Sequence, residues 1–156
     1  MADVRKGRQT PTRSVVLPYE DTKGPEAIAL YGETGRTAQE WQELQIYDIM
    51  ADNDDGLWIH TKYGIEIPRR NGKNEVLAMR ELWGLLNGEQ ILHTAHRTTT
   101  SHSAWIRLCK LLDASGWIEV SRLKKGQRKK KTYKSFKQYG FESIELNDRP
   151  GKISFR

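Results

Sequence analysis

Two stretches of helical apolar period, separated by one short apolar run, leave few folds open to this chain. Between Asn74 and Leu86 the residues Val76, Leu77, Met79, Leu82, Trp83 and Leu86 recur every three or four positions, as do Ala104, Trp105, Leu108, Leu111 and Leu112 further on. Each set falls on one face of a helix. Gly88 and Gly116 stand where those helices would close, and Thr98 to Ser101 supplies N-cap side chains for the second. Gln90 to Ala95, between them, is too short for a helix and reads as a strand. Strand, turn, helix, strand, helix is the order of an α/β protein with a parallel sheet and flanking helices.

Upstream, Leu57 to Thr61 and Gly64 to Ile67 also read as strands. Thr37-Ala-Gln-Glu40 has the form of a capping box and predicts a helix to about Ala51 with Trp41, Leu44 and Tyr47 facing inward. Pro25 opens a shorter helix reaching Tyr31. Residues 1–17 mix cations with Thr, Ser and Pro and predict a flexible basic tail ahead of one domain over 18–156. Downstream, Ile144 and Leu146, then Ile153 and Phe155, alternate with polar residues around Asn147 to Gly151, the pattern of a β-hairpin. If its second strand, running into Arg156, were a sheet edge, its unpaired backbone would favour self-association.

The 156 residues allow one domain with a real core, and 37% apolar with 29% charged residues is the balance of an ordinary globular protein. Without an apolar leader or a run of about 18 apolar residues, a cytoplasmic location is expected. The single Cys109 excludes an internal disulfide and a multi-cysteine zinc site. His93, His96 and His102 with Cys109 match no zinc spacing. The formal charge of +6 is concentrated: Arg122, Lys124, Lys125, Arg128, Lys129, Lys130, Lys131, Lys134 and Lys137 stand in a segment, 121–138, with no acid. Such a run is either a solvated surface loop or a contact for the nucleic-acid backbone. Tyr133, Phe136 and Tyr139 lie within or beside it and either stack on bases or anchor the loop.

The segment that carries chemistry is Ile67-Pro-Arg-Arg-Asn-Gly72-Lys73-Asn74. A phosphate-binding loop needs an anchoring strand, a turn exposing N–H groups, a lysine for the β- and γ-phosphates, and a helix N-terminus facing the anion. Residues 64–86 offer these in order. Against G-x-x-x-x-G-K-[ST], Gly72 and Lys73 match, Ile67 replaces the first glycine and Asn74 replaces the Mg²⁺-ligating hydroxyl.

Pro68-Arg69-Arg70-Asn71-Gly72-Lys73 followed by a helix resembles the variant P-loop of phage terminase large subunits. The resemblance runs in order through Leu17-Pro-Tyr, Thr34 to Gln42, Leu44 to Gly56, Ile91 to Arg97, Ser101 to Leu112 and the Gly140 to Leu146 segment. It implies a P-loop ATPase fold, incomplete at its C-terminal side, that binds ATP and Mg²⁺. Lys73 would hold the β- and γ-phosphates, with Arg70, Asn71 and Gly72 forming the cradle. Arg69 would act as an arginine finger in cis, Asn74 would stand at the metal position, and Trp41-Gln42 would meet the adenine. The family's carboxylates for Mg²⁺ and water activation, and its nuclease domain, have no counterpart in this sequence. The implied function is the ATP-binding segment of a motor that moves double-stranded DNA into a procapsid, with a portal protein, a small terminase subunit and further copies as partners. The alternative is a non-catalytic nucleic-acid-binding protein whose basic surface joins Arg69, Arg70 and Lys73 to the segment 121–138.

Overall fold

The structure, a computed structural model, describes residues 7–123 and 131–156. Its centre is the helix α3, Lys73–Leu86, which has buried residues at Val76, Met79, Leu82, Trp83 and Leu86 as the spacing predicts. Ala78 and Leu85 are buried as well, so α3 is covered on most of its circumference. The helices α1, Gly24–Glu33, and α2, Glu40–Ile49, pack on it, as does α4, Thr98–Ala114.

Five strands form the main sheet. They are β3, Gln90–His93; β4, Ile118–Glu119; β5, Thr132–Phe136; β6, Ser143–Leu146; and β7, Lys152–Phe155, in the order β3-β7-β6-β5-β4. A further pair, β1 at Asp21–Thr22 and β2 at Ala51–Asp52, is antiparallel and separate. The main sheet is mixed rather than parallel: β3 with β7 and β4 with β5 run parallel, while β6 is antiparallel to both neighbours. The reason is loop length. The connection 147–151 permits only a hairpin, whereas the longer path from β3 to β4 holds α4 as a crossover helix.

Two expectations fail in this sheet. The strand ending at Phe155 is not an edge, since Ile153 pairs Ile91 on one side and Ile144 on the other. The basic segment is not simply a surface loop either, because Thr132–Phe136 is a strand with Tyr133 fully buried, its hydroxyl donating to Asp113 at 2.8 Å. The cations hid a period of two, in which Tyr133 faces the core and Lys134 the solvent.

Ile91, Ile153, Ile144 and Phe155 point to the helical side of the sheet and join the core with Leu108, Leu111 and Leu112 of α4. Gly151, where β7 begins, is an obligate glycine: a Cβ there would fall on the carbonyl oxygen of Leu85. The absence of a side chain brings the hairpin directly onto the end of α3.

The expected strands at 57–61 and 64–67 do not form. Trp58 makes a single bridge to Asp52, and residues 63–68 run without ladder partners. Their apolar side chains find other surfaces. Trp58 meets Trp83 edge-on at 5.7 Å under the Arg80 guanidinium, and Ile65 packs against the helical core. Helix α2 also differs from expectation. It starts at Glu40 with Gln39 as N-cap, the Gln39 N–H donating to Gln42 Oε1 at 2.9 Å. Its buried positions are Gln42, Ile46 and Asp48, while Trp41, Leu44 and Tyr47 are half-buried.

Candidate phosphate-binding site

The turn before α3 is shaped by three residues. Arg70 has φ 64°, a conformation that costs an L-residue free energy, and Gly72 caps α3 at φ 82°. Between them the Asn71 side-chain amide donates to the carbonyls of Pro68 and Arg69, each at 3.2 Å, closing the turn on itself. Gly72 is required for a second reason: a Cβ there would lie 2.9 Å from Gln42 Nε2.

Gln42 takes the place of the expected anchoring strand. It is 5% exposed, accepts from the Gln39 N–H and donates from Nε2 to the Gly72 carbonyl at 3.1 Å. One side chain thus ties the start of α2 to the start of α3. Trp41, beside it, reaches within 3.7 Å of where a Gly72 Cβ would stand, and its indole N–H donates to Gln39 at 2.8 Å. The pair Trp41 and Gln42 therefore lies against the loop, 30 residues away in sequence.

Arg69, Arg70, Asn71, Gly72, Lys73 and Asn74 are all exposed. Among the described residues no ion-pair or hydrogen-bond partner holds the Arg69, Arg70 or Lys73 side chains. Gly72 has no side chain to cap α3, so the Lys73 and Asn74 N–H groups lack a side-chain cap and three free cations stand beside them, while the Glu75 N–H donates to the Gly72 carbonyl at 3.0 Å. Just inside, Glu75 is fully engaged. It accepts from the Tyr31 hydroxyl at 2.5 Å and pairs with Arg36 at 3.1 Å and Arg107 at 3.0 Å. Burial, and then the bond to Glu75, push the Tyr31 hydroxyl pKa up. This cluster was not foreseen; Glu75 two positions after Lys73 was the only trace of it in the sequence.

A cleft of about 820 Å³ opens on the other side of Trp41. Its walls are residues 8–16, Leu44, Gln45, His60 and residues 62–68. The basic tail thus contributes a wall, with Gln9 accepting from the Trp41 N–H at 3.3 Å and the Leu17 N–H reaching His60 at 3.1 Å.

The other candidates are scattered. Arg122 is engaged by Asp113 at 2.8 Å and Glu119 at 3.5 Å, Lys131 is exposed, and Lys124, Lys125, Arg128, Lys129 and Lys130 lie outside the described residues. His93 bonds Glu81 at 2.5 Å, and His102 bonds Glu142 at 2.7 Å. Burial, then Glu119 and Asp113, raise the Cys109 thiol to about 12. Among the described residues no group of three or more His, Cys, Asp or Glu is placed to hold a metal. Asp54 and Asp55 occupy an exposed turn, and Asp52 belongs to β2, where it is buried 3.4 Å from Lys23. No helix is long and apolar enough to cross a membrane, among the described residues.

No protein-family model, no curated protein and no solved structure matches the chain.

Proposed function

We infer that residues 69–74, with Trp41 behind them, bind ATP with Mg²⁺, and that the chain is the ATP-binding segment of a terminase-type motor acting on double-stranded DNA. The observation that carries this reading is the open start of α3. Its N-cap is a glycine at φ 82°, its first N–H groups lack a side-chain cap, and Lys73, Arg69 and Arg70 stand unpaired around it. Backbone donors, the helix dipole and mobile cations are what a triphosphate requires.

Lys73 sits in the first turn and reaches the terminal phosphates. Arg69 neutralises charge developing on the transferred phosphoryl group. Arg70 and the Asn71 to Gly72 backbone line the phosphate chain. Asn74 offers an amide oxygen to Mg²⁺, which when bound screens the phosphate charge. Trp41, which lines the cleft and lies beside Gly72, packs against the base. Gln42 holds Gly72 through one amide N–H and keeps a second N–H for the adenine edge. Portal, small terminase subunit and further copies of the chain are the partners this reading implies.

The test is calorimetric titration of a non-hydrolysable ATP analogue with Mg²⁺ into the wild-type chain and Lys73→Ala. Micromolar affinity, about −8 kcal/mol, that vanishes in the variant is expected. Equal binding, or none by either folded protein, leaves the rival reading: a nucleic-acid-binding surface that spreads affinity over many cations and loses only a fraction with any one.

A further inference from the structure

At the carboxyl end of β3, β5 and β7 lies a surface that the nucleotide reading does not use. The β5–β6 connection is a tight turn in which the Phe141 N–H donates to the Gln138 carbonyl at 2.6 Å and Gly140 takes φ 77°. It carries three large rings into solvent within six residues: Phe136 is 46% exposed, Tyr139 60% and Phe141 58%. The core does not account for them, since Tyr133 already fills the inward position of this segment. Two neighbouring segments close around the turn. The Thr98 hydroxyl donates to the Tyr139 hydroxyl at 3.2 Å, the His102 ring lies 5.8 Å from that of Tyr139, and the Arg156 guanidinium covers Phe141 at 4.8 Å.

The sequence around these rings is rich in cations. No Asp or Glu occurs from Thr94 to Leu112 or from Lys131 to Phe141. Of the carboxylates that follow, Glu142 is fully buried and bonded to His102, and Glu145 is paired with Lys152 at 2.6 Å. Arg97, Lys137 and Arg156 are exposed at the rim. Exposed rings among unopposed cations fit one kind of partner, a polyanion carrying flat apolar groups. A paired duplex keeps its bases stacked inside and offers these rings nothing, whereas a single strand offers a face per base.

We propose that the Phe136 to Phe141 turn, flanked by Arg97 and Arg156, binds single-stranded nucleic acid, its rings stacking on unpaired bases and its cations following the phosphates. The surface shares no residue with the phosphate loop, so it stands whether or not the chain binds ATP. This surface prefers locally unpaired bases, such as those at an opened end of a duplex, to intact duplex.

Fluorescence anisotropy with a labelled oligothymidylate of about 20 nucleotides, against a duplex of equal length, tests this. The single strand is expected to bind more tightly than the duplex. Phe136→Ala and Tyr139→Ala should each weaken it by about tenfold, and Tyr139→Phe, which keeps the ring, should not. Arg97→Ala or Lys137→Ala should each reduce the salt slope of log K by about 0.7. The rings are half exposed, so circular dichroism and thermal unfolding of the alanine variants should match the wild type. Equal affinity for duplex and single strand, or ring variants that bind as tightly as wild type while the cation variants do not, would overturn the proposal in favour of a purely electrostatic surface. Absence of oligothymidylate binding at low salt would overturn it outright.

Discussion

Replacing Gly72 with alanine tests the local physics of the phosphate loop more sharply than any loss of charge. Two costs arise at once. The residue caps α3 at φ 82°, where an L side chain costs about 1–2 kcal/mol. Its new Cβ would also stand 2.9 Å from Gln42 Nε2, so the Gln42 amide must swing away and abandon its bond to the Gly72 carbonyl. That bond contributes about 1 kcal/mol. The sum, about 2–3 kcal/mol, lowers the melting temperature by about 4–12 °C for a chain of this size. A double-mutant cycle separates the two terms. With Gln42→Ala as background the clash and the lost bond are already gone, so Gly72→Ala should cost only its conformational part, leaving a coupling of about 1 kcal/mol. Urea unfolding of the four proteins reads both quantities. A Gly72→Ala protein as stable as wild type, or strictly additive costs, would refute the account of Gln42 as the strap on this loop.

Other consequences can be measured independently. Glu75→Ala leaves the buried Tyr31 hydroxyl and two arginines without their acceptor and should cost about 1–3 kcal/mol in urea unfolding; a neutral result removes the cluster from the account. Phe155→Ala, at a fully buried site in the interior strand β7, should cost about 3–5 kcal/mol, and the β7 amides should exchange far more slowly than those of residues 63–68. Tyr19 and Cys109 are each raised to about 12, chiefly by burial, from ordinary values of 10 and 9. Both therefore hold protons more tightly folded than unfolded, so stability should be flat at neutral pH and fall as pH rises from about 9 toward 12; a pH series of melting temperatures that rises through this window contradicts the sign.

The helices were legible because their burial is periodic and their ends are punctuated. Val76 to Leu86 and Ala104 to Leu112 needed no tertiary information, and Gly88 and Gly116 take φ 86° and 83°. The hairpin was legible for the same reason. What the sequence concealed was set by partners far along the chain. Tyr133 looked like one ring in a basic run until Asp113 was seen to receive its hydroxyl. The run 57–67 looked like strands because an apolar side chain that packs on a helix leaves the same local pattern as one in a ladder. At the candidate site, Gly72 and Lys73 were visible as a motif, while resemblance assigned Trp41 and Gln42 only to the adenine and not to a contact with the loop. The bond from Gln42 to Gly72 and the role of Glu75 depend on contacts that no spacing rule encodes.

The parallel pairing of β3 with β7 also bears on how the chain acquires its structure. Ile91 meets Ile153, 62 positions later, and α4, β4, β5 and β6 all lie between. During synthesis α1, α2 and α4 can gather around α3 as they emerge, since they are its near neighbours in sequence. The strand β3 has no partner in the main sheet until β7 has been made. Sheet closure is therefore a late, high-contact-order event, and until it occurs the apolar side of β3, with Ile91 and His93, stays open to chaperones or to other nascent chains.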